Sequence, residues 1–196
     1  MGKVVLDVSI SLDGFAAGPN VSVDQPMGNG GECLHAWSSG GKTGSATESD
    51  QQVAGEMFAL TGAVVTGRRT FDVGVGLWGD DGAFGMPCFV LTHRARPKLV
   101  KGPTTFTFVT DGIGSCLEQA KAAAGEKDVW LMGAANTAQQ YLRAGLLDEM
   151  RVHIVSVLLG AGTRLFEHIG SEQVALERTR VIESPFVTHL TFNVVK

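Results

Sequence analysis

Cysteine is scarce in this chain and makes no pattern. Cys33, Cys88 and Cys116 are odd in number, widely spaced and outside any C-x-x-C pair, which excludes a disulfide framework and predicts reduced thiols. Cys88, set among Pro87, Phe89 and Val90, reads as a small buried hydrophobe. Cys33 and His35 are half a metal site at most, and without further ligands at zinc spacing no metal is expected. The other histidines, His93, His153, His168 and His189, form no H-x-x-x-H pair. Neither a G-x-S-x-G elbow nor the H-x-E with P-C-x-x-C signature of a zinc deaminase occurs. Positive charge is lacking too: the formal net charge of −4 argues against a general nucleic-acid binder. At the N-terminus a long apolar run is missing, because residues 4–12 are cut by Asp7 and Ser9. They are too short and too polar for a signal h-region or a membrane span, so the cytoplasm is the default expectation.

What remains suffices for one hydrophobic core. The 196 residues, 44% hydrophobic and 18% charged, predict a single domain over 1–196. Val4, Leu6, Val8 and Ile10 alternate with Val5, Asp7, Ser9 and Ser11, a first strand that stops at the Asp13-Gly14 turn signal. Thr47 is an N-cap for a helix to residue 60, and 63–66, 87–92 and 104–110 read as short buried strands. Ser115-Cys-Leu-Glu118 and Thr137-Ala-Gln-Gln140 have the form of capping boxes for helices that stop near Gly125 and Gly145. Residues 150–159, 175–182 and 189–195 are strand-like with no useful helix between them, the last two forming an antiparallel hairpin through Glu183-Ser-Pro-Phe186. The fold expected is α/β, a mixed sheet of about eight strands, parallel first and antiparallel at the end, flanked by helices.

Three apolar runs end in small or basic clusters: 64–66 in Gly67-Arg68-Arg69-Thr70, 89–91 in Thr92-His93-Arg94, and 129–132 in Gly133-Ala134-Ala135-Asn136-Thr137. In an open α/β sheet the ligand crevice lies beyond the carboxyl ends of the strands, where helix-start N–H groups and arginines favour phosphate. The glycine-rich stretch 24–49, carrying Gly28, Gly30, Gly31, Gly40, Gly41 and Gly44, is either a surface insertion or a lid whose apolar contact is Trp37.

Four strings in order carry a resemblance: Val8-Ser-Ile-Ser-Leu-Asp-Gly-Phe-Ala-Ala17, Val65-Thr-Gly-Arg-Arg-Thr-Phe71, Val129-Trp-Leu-Met-Gly-Ala-Ala-Asn136, and Leu147-Asp-Glu leading to Leu159-Gly-Ala-Gly-Thr-Arg-Leu-Phe166. Over nearly its whole length the chain resembles the dihydrofolate reductase-like superfamily, above all stand-alone relatives of the reductase domain of the bacterial riboflavin-pathway deaminase-reductase. The resemblance implies a three-layer fold, NADPH as cofactor, a small-molecule substrate and a homodimer.

By the same resemblance, Gly67, Arg68, Arg69 and Thr70 meet the cofactor phosphates, with Arg68 the natural bidentate partner, although a solvated arginine after a strand is the plainer reading. Thr92, His93 and Arg94 stand at the adenosine end, and Arg94 with Arg96 points to NADPH rather than NADH. Gly133, Ala134, Ala135, Asn136 and Thr137 match the turn that faces the pyrophosphate, with alanine at 134 where many relatives have glycine. Ser11, Ala16 and Ala17 fall beside the nicotinamide. Asp13 and Trp37 are the candidates for substrate contact, with Asp13-Gly14 equally readable as turn chemistry. Asp50 is the nearest acid to the buried carboxylate of dihydrofolate reductases, one residue off the expected offset. It is the candidate catalytic group, or else a carboxylate complementing a helix start. The implied activity is hydride transfer from NADPH to a small heterocyclic or carbonyl substrate, most like 5-amino-6-(5-phosphoribosylamino)uracil reductase. The alternatives are a dihydrofolate reductase and a non-catalytic NADPH-binding homodimer.

Overall fold

A computed structural model describes residues 2–39, 46–133 and 135–196. In chain order the elements are β1 (Val4–Ser11), β2 (Phe15–Ala17), a 3-10 turn (Gly31–His35), α1 (Ala36–Ser39), α2 (Glu48–Leu60), β3 (Thr61–Gly67) and α3 (Arg68–Gly74). There follow β4 (Cys88–Leu91), β5 (Leu99–Lys101), β6 (Thr104–Val109), α4 (Gly112–Ala124), β7 (Asp128–Met132) and α5 (Ala135–Arg143). The chain closes with β8 (Glu149–Val155), β9 (Thr163–Arg164), β10 (Leu176–Glu183) and β11 (Val187–Val194).

Nine strands form one sheet in the order β10-β11-β8-β1-β7-β3-β4-β6-β5. The six from β8 to β6 in that order run parallel, β11 pairs antiparallel with β8 and β10 with β11, and β5 pairs antiparallel with β6. The ninth strand is β5, a three-residue edge the sequence pattern did not show. β2 and β9 pair separately.

The alternation in β1 sorts its side chains as expected. Val4, Leu6, Val8 and Ile10 join the core beneath α4 and α5, with Leu131, Tyr141 and Leu142. Val5, Asp7, Ser9 and Ser11 therefore face the opposite side, since successive residues of a strand point to opposite faces. On that side two clusters fill in. Phe71, Phe84, Phe106 and Trp130 make an aromatic one, and Leu34, Trp37, Val155 and Val187 a smaller one under α2.

Helix starts differ from expectation in an instructive way. The capping box is at Thr47 and Asp50: the Asp50 N–H donates to Thr47 Oγ1 (3.2 Å) and the Thr47 N–H to Asp50 Oδ2 (2.8 Å). α4 begins a turn before Ser115, whose Oγ accepts from the Gln119 side chain instead (3.2 Å). α5 begins at Ala135, which leaves Thr137 buried inside the helix. Both helices stop at a glycine with positive φ, Gly125 at φ 63° and Gly145 at φ 65°.

The β2–β9 pair is held against the chain by Gly162, whose φ is +141° and where a Cβ would sit 2.0 Å from the Ala17 carbonyl oxygen. Gly162→Ala must therefore displace backbone, and a loss of at least about 1 kcal/mol is expected. A urea unfolding midpoint equal to wild type would show that this segment is not held as described.

Candidate active site

Because the central strands are parallel, their carboxyl ends share one edge, and the three clusters of the sequence meet there. A cleft of about 400 Å³ is lined by Gly67, Arg68 and Arg69 after β3, Thr92, His93 and Arg94 after β4, and Asn136 and Thr137 from the first turn of α5. Thr110, Gly112, Ile113 and Gln140 complete it, from the end of β6 and from two helices. Arg68 lies in the cleft with its Nε–H shared between the two carboxylate oxygens of Asp72 (2.8 and 2.9 Å), an i,i+4 pair. Arg69 donates to the Val21 carbonyl (3.3 Å). Three arginines against one aspartate give this edge positive character. Arg96 does not line it, because its guanidinium lies 4.7 Å from the Phe108 ring centre. Thr70 and Gly133 form the adjoining wall: Gly133 has φ +68°, and a Cβ there would reach 3.0 Å from Thr70 Cγ2. Ala135 is buried behind it, and Ala134 lies outside the described residues.

On the sheet face under α2 is a second feature. Asp7 of β1, His153 of β8, His189 of β11 and Asp50 of α2 are all buried and form one line. Asp7 Oδ1 is 3.0 Å from His153 Nε2, the two Nδ1 atoms are 2.7 Å apart, and His189 Nε2 is 2.8 Å from Asp50 Oδ1. Sheet register produces the contact: Ser9, His153 and His189 stand opposite one another across β1, β8 and β11. Trp37 caps the line, with ring centres 4.5 and 4.7 Å from the two imidazoles and its N–H donated to Ser9 Oγ at 2.9 Å. Burial raises the Asp50 pKa, but His189 and Thr47 hydrogen bonds outweigh it and leave the carboxyl below its ordinary value. Burial pushes His189 down, only partly offset by Asp50, which favours its neutral ring. Among the described residues, two buried side-chain atoms have no hydrogen-bond partner, Asp7 Oδ2 and Thr66 Oγ1. They share this face, because Thr66 and Asp7 flank Met132 from β3 and β1.

A sequence profile of the RibD C-terminal domain matches residues 2–188. The chain belongs to that family. It is 28% identical over 176 residues to protein YyaP of Bacillus subtilis, covering 84% of this chain and 80% of that one. Among solved structures it resembles a protein named for riboflavin biosynthesis from Shewanella sp. PV-4, with TM-score 0.74, 19% identity and 99% of both chains covered. The riboflavin biosynthesis reductase Rib7 of Saccharomyces cerevisiae matches with TM-score 0.61 and 14% identity over 100% of this chain and 89% of that one. In both the shared property is the fold.

Several carried-over residues have other work. Ser11 is fully buried, its hydroxyl donating to Asp13 Oδ1 (2.5 Å) and accepting from the Phe15 N–H (3.0 Å). Asp13 also takes the N–H groups of Leu159 (3.1 Å) and Gly160 (2.8 Å), and these contacts, Ser11 first, hold its pKa down to about 2. It clamps the β1 turn to the loop after β8. Ala17 pairs with β9 and Ala16 packs on the core, so both shape the site by backbone only. Trp37 is buried in the smaller core cluster; Gly40, Gly41 and Gly44 of the expected lid lie outside the described residues. Asp50 has both oxygens engaged by Thr47 and His189.

Sequence reasoning missed His153, His189 and Asp7. The available signal was a polar side chain on the inward face of an apolar strand, three times over; what puts the three side by side is strand order, which spacing does not carry.

The line has a pH signature. Asp50, with its folded pKa lowered, contributes stability at pH values above about 3.9 that is lost as pH falls through the folded value. His189, lowered likewise, contributes above about 6.5 and loses it on acidification below that. Wild type is therefore expected to weaken steadily below pH 6.5. Asp50→Asn should lose about 1–3 kcal/mol at pH 7 and show a flatter acid limb in urea unfolding at stepped pH. An acid limb as steep as wild type would remove Asp50 from the linkage.

Proposed function

We propose that the protein is an NADPH-dependent reductase of this family, acting on a small heterocyclic or carbonyl substrate. The cleft at the strand carboxyl ends carries the reading, because it gathers cationic side chains and backbone into one groove suited to phosphates. Its residues fit the group: Arg68 and Arg94 supply charge for the phosphates, and the turn at Gly133 brings backbone close without a side chain. When bound, the dinucleotide supplies hydride. The chain itself binds, orients and keeps water out, which is most of what hydride transfer asks of a protein. The buried oxygens of Asp7 and Thr66 on the face beside β7 offer polar contacts for the substrate. Family membership supports the reductase assignment at the coarser level. Asp50, the carboxylate the resemblance to dihydrofolate reductases singled out, is 1% exposed and held at both oxygens.

Calorimetry should find NADPH binding tighter than NADH by roughly ten to a hundred-fold, the size of one charge-assisted contact of about 1.5 to 3 kcal/mol. Arg68→Ala should narrow that preference. Equal dissociation constants in the wild type would sink the cofactor choice. Gly133→Val, with a β-branched side chain at positive φ against Thr70, should abolish NADPH binding in a protein still folded by circular dichroism; retained affinity removes this turn from the site. A panel of pterin, pyrimidine and quinone acceptors, followed by NADPH oxidation at 340 nm, tests catalysis, and no oxidation with any of them favours a binding protein.

A further inference from the structure

Counting protons along the buried line leads beyond the binding cleft. Three hydrogen bonds join the four groups, and each needs one proton. Two neutral imidazoles and two carboxylates bring only two. If each neutral ring donated its Nε2–H to its own carboxylate, two Nδ1 lone pairs would face each other at 2.7 Å in a dry site, which is repulsive. Both nitrogens of both rings are used, so turning either ring over would put carbon where the partners need nitrogen.

The geometry points to a third, shared proton in the Asp7–His153–His189–Asp50 line, carried on His153, which makes Asp7 the substrate-facing catalytic acid of the reduction. His153 then donates Nε2–H to Asp7 and Nδ1–H to His189, while neutral His189 donates Nε2–H to Asp50. The assignment agrees with the directions at the far end, Asp50 ionised and His189 neutral.

The surrounding charges are largely accounted for. Glu56 of α2 pairs with Arg180 of β10 at 2.5 Å, and Glu149 of β8 with Lys3 and Arg151 at 2.7 Å each. His35, at the end of the 3-10 turn, feels both His153 and Asp7. Ser9, Trp37 and Thr47 complete the shell without charge.

Asp7 is the end with an oxygen left for a ligand to meet, since its Oδ2 is buried with no partner among the described residues, whereas both Asp50 oxygens are held. Asp7 also stands opposite Met132, the residue before the Gly133 turn, so the acid and the cofactor wall lie at the same height of the sheet. This role rests on the reductase reading above. As hydride adds to the substrate's C=N or C=O carbon, the π pair moves to the nitrogen or oxygen. The His153 Nε2–H bond breaks to protonate Asp7, whose O–H bond breaks in turn to pass that proton to the new electron pair, so Asp7 ends ionised. His153 ends neutral, two protons remain in the line, and solvent restores the third through the roughly 320 Å³ pocket that both imidazoles border. His153, His189 and Asp50 are positioning residues in this scheme.

Nitrogen-15 NMR of histidine-labelled wild-type protein at pH 7.5, without cofactor, reads the proton count directly. One ring protonated on both nitrogens and one on a single nitrogen is the expected result; two singly protonated rings overturn the proposal. In His189→Gln the doubly protonated signal should vanish. Asp7→Asn should bind NADPH with unchanged Kd and lower kcat by about a hundred to ten thousand-fold for whichever acceptor the panel yields. Wild-type kcat in that variant overturns the acid role. Failure of wild type to bind NADPH would overturn the reductase reading and with it the acid role, and would leave the proton count standing.

Discussion

Two buried carboxylates on opposite sides of two imidazoles set the terms for the rest of this structure. Isolated charge is not tolerated in a dry interior, so Asp7 and Asp50 must each meet a donor, and the donors must meet each other. That requirement ties β1, β8 and β11 to the first turn of α2 and fixes the helix along its axis. A set of apolar side chains of equal volume would hold the same elements at least as well. Stability alone therefore does not account for the line, and the proposed acid role supplies a reason for it.

The same strand serves both halves of the molecule. Even-numbered residues of β1 build the large core under α4 and α5, and odd-numbered ones build the polar line. Its turn is then locked by Ser11 and Asp13 to the loop after β8, so the end nearest the cleft has little freedom. Trp37 covers the two imidazoles on the side away from the pocket they border, and burial there strengthens the hydrogen bonds of the line.

The sequence disclosed the parts whose signals are local. Period-two alternation located β1 with the right faces, glycines marked the ends of α4 and α5, and the basic clusters after β3 and β4 converge in the cleft because all parallel strands end on one edge. Helix starts were harder: Ser115 and Thr137 have capping-box form, yet Gly112 and Ala135 begin the helices, because packing of the preceding turn outweighs one side-chain cap. Asp50 drew attention for its place at a helix start, and it is a capping-box residue; its second bond, to His189, is 139 positions away in sequence. Long-range pairing of this kind depends on the order β11-β8-β1, which no local pattern encodes.

The arrangement also limits what can be reduced. Asp7 and Thr66 stand one strand to either side of Met132, so their Cα atoms are separated by two interstrand spacings, about 9.5 Å. A ligand that satisfied both buried oxygens would have to be flat enough to lie on the methionine and about as wide as a substituted ring. Size selection would follow from desolvation: a smaller molecule leaves one oxygen without a partner, at a cost of about 1–3 kcal/mol. On the proposed reductase reading, selectivity would then rest on two unpaired oxygens set by the sheet rather than by a loop.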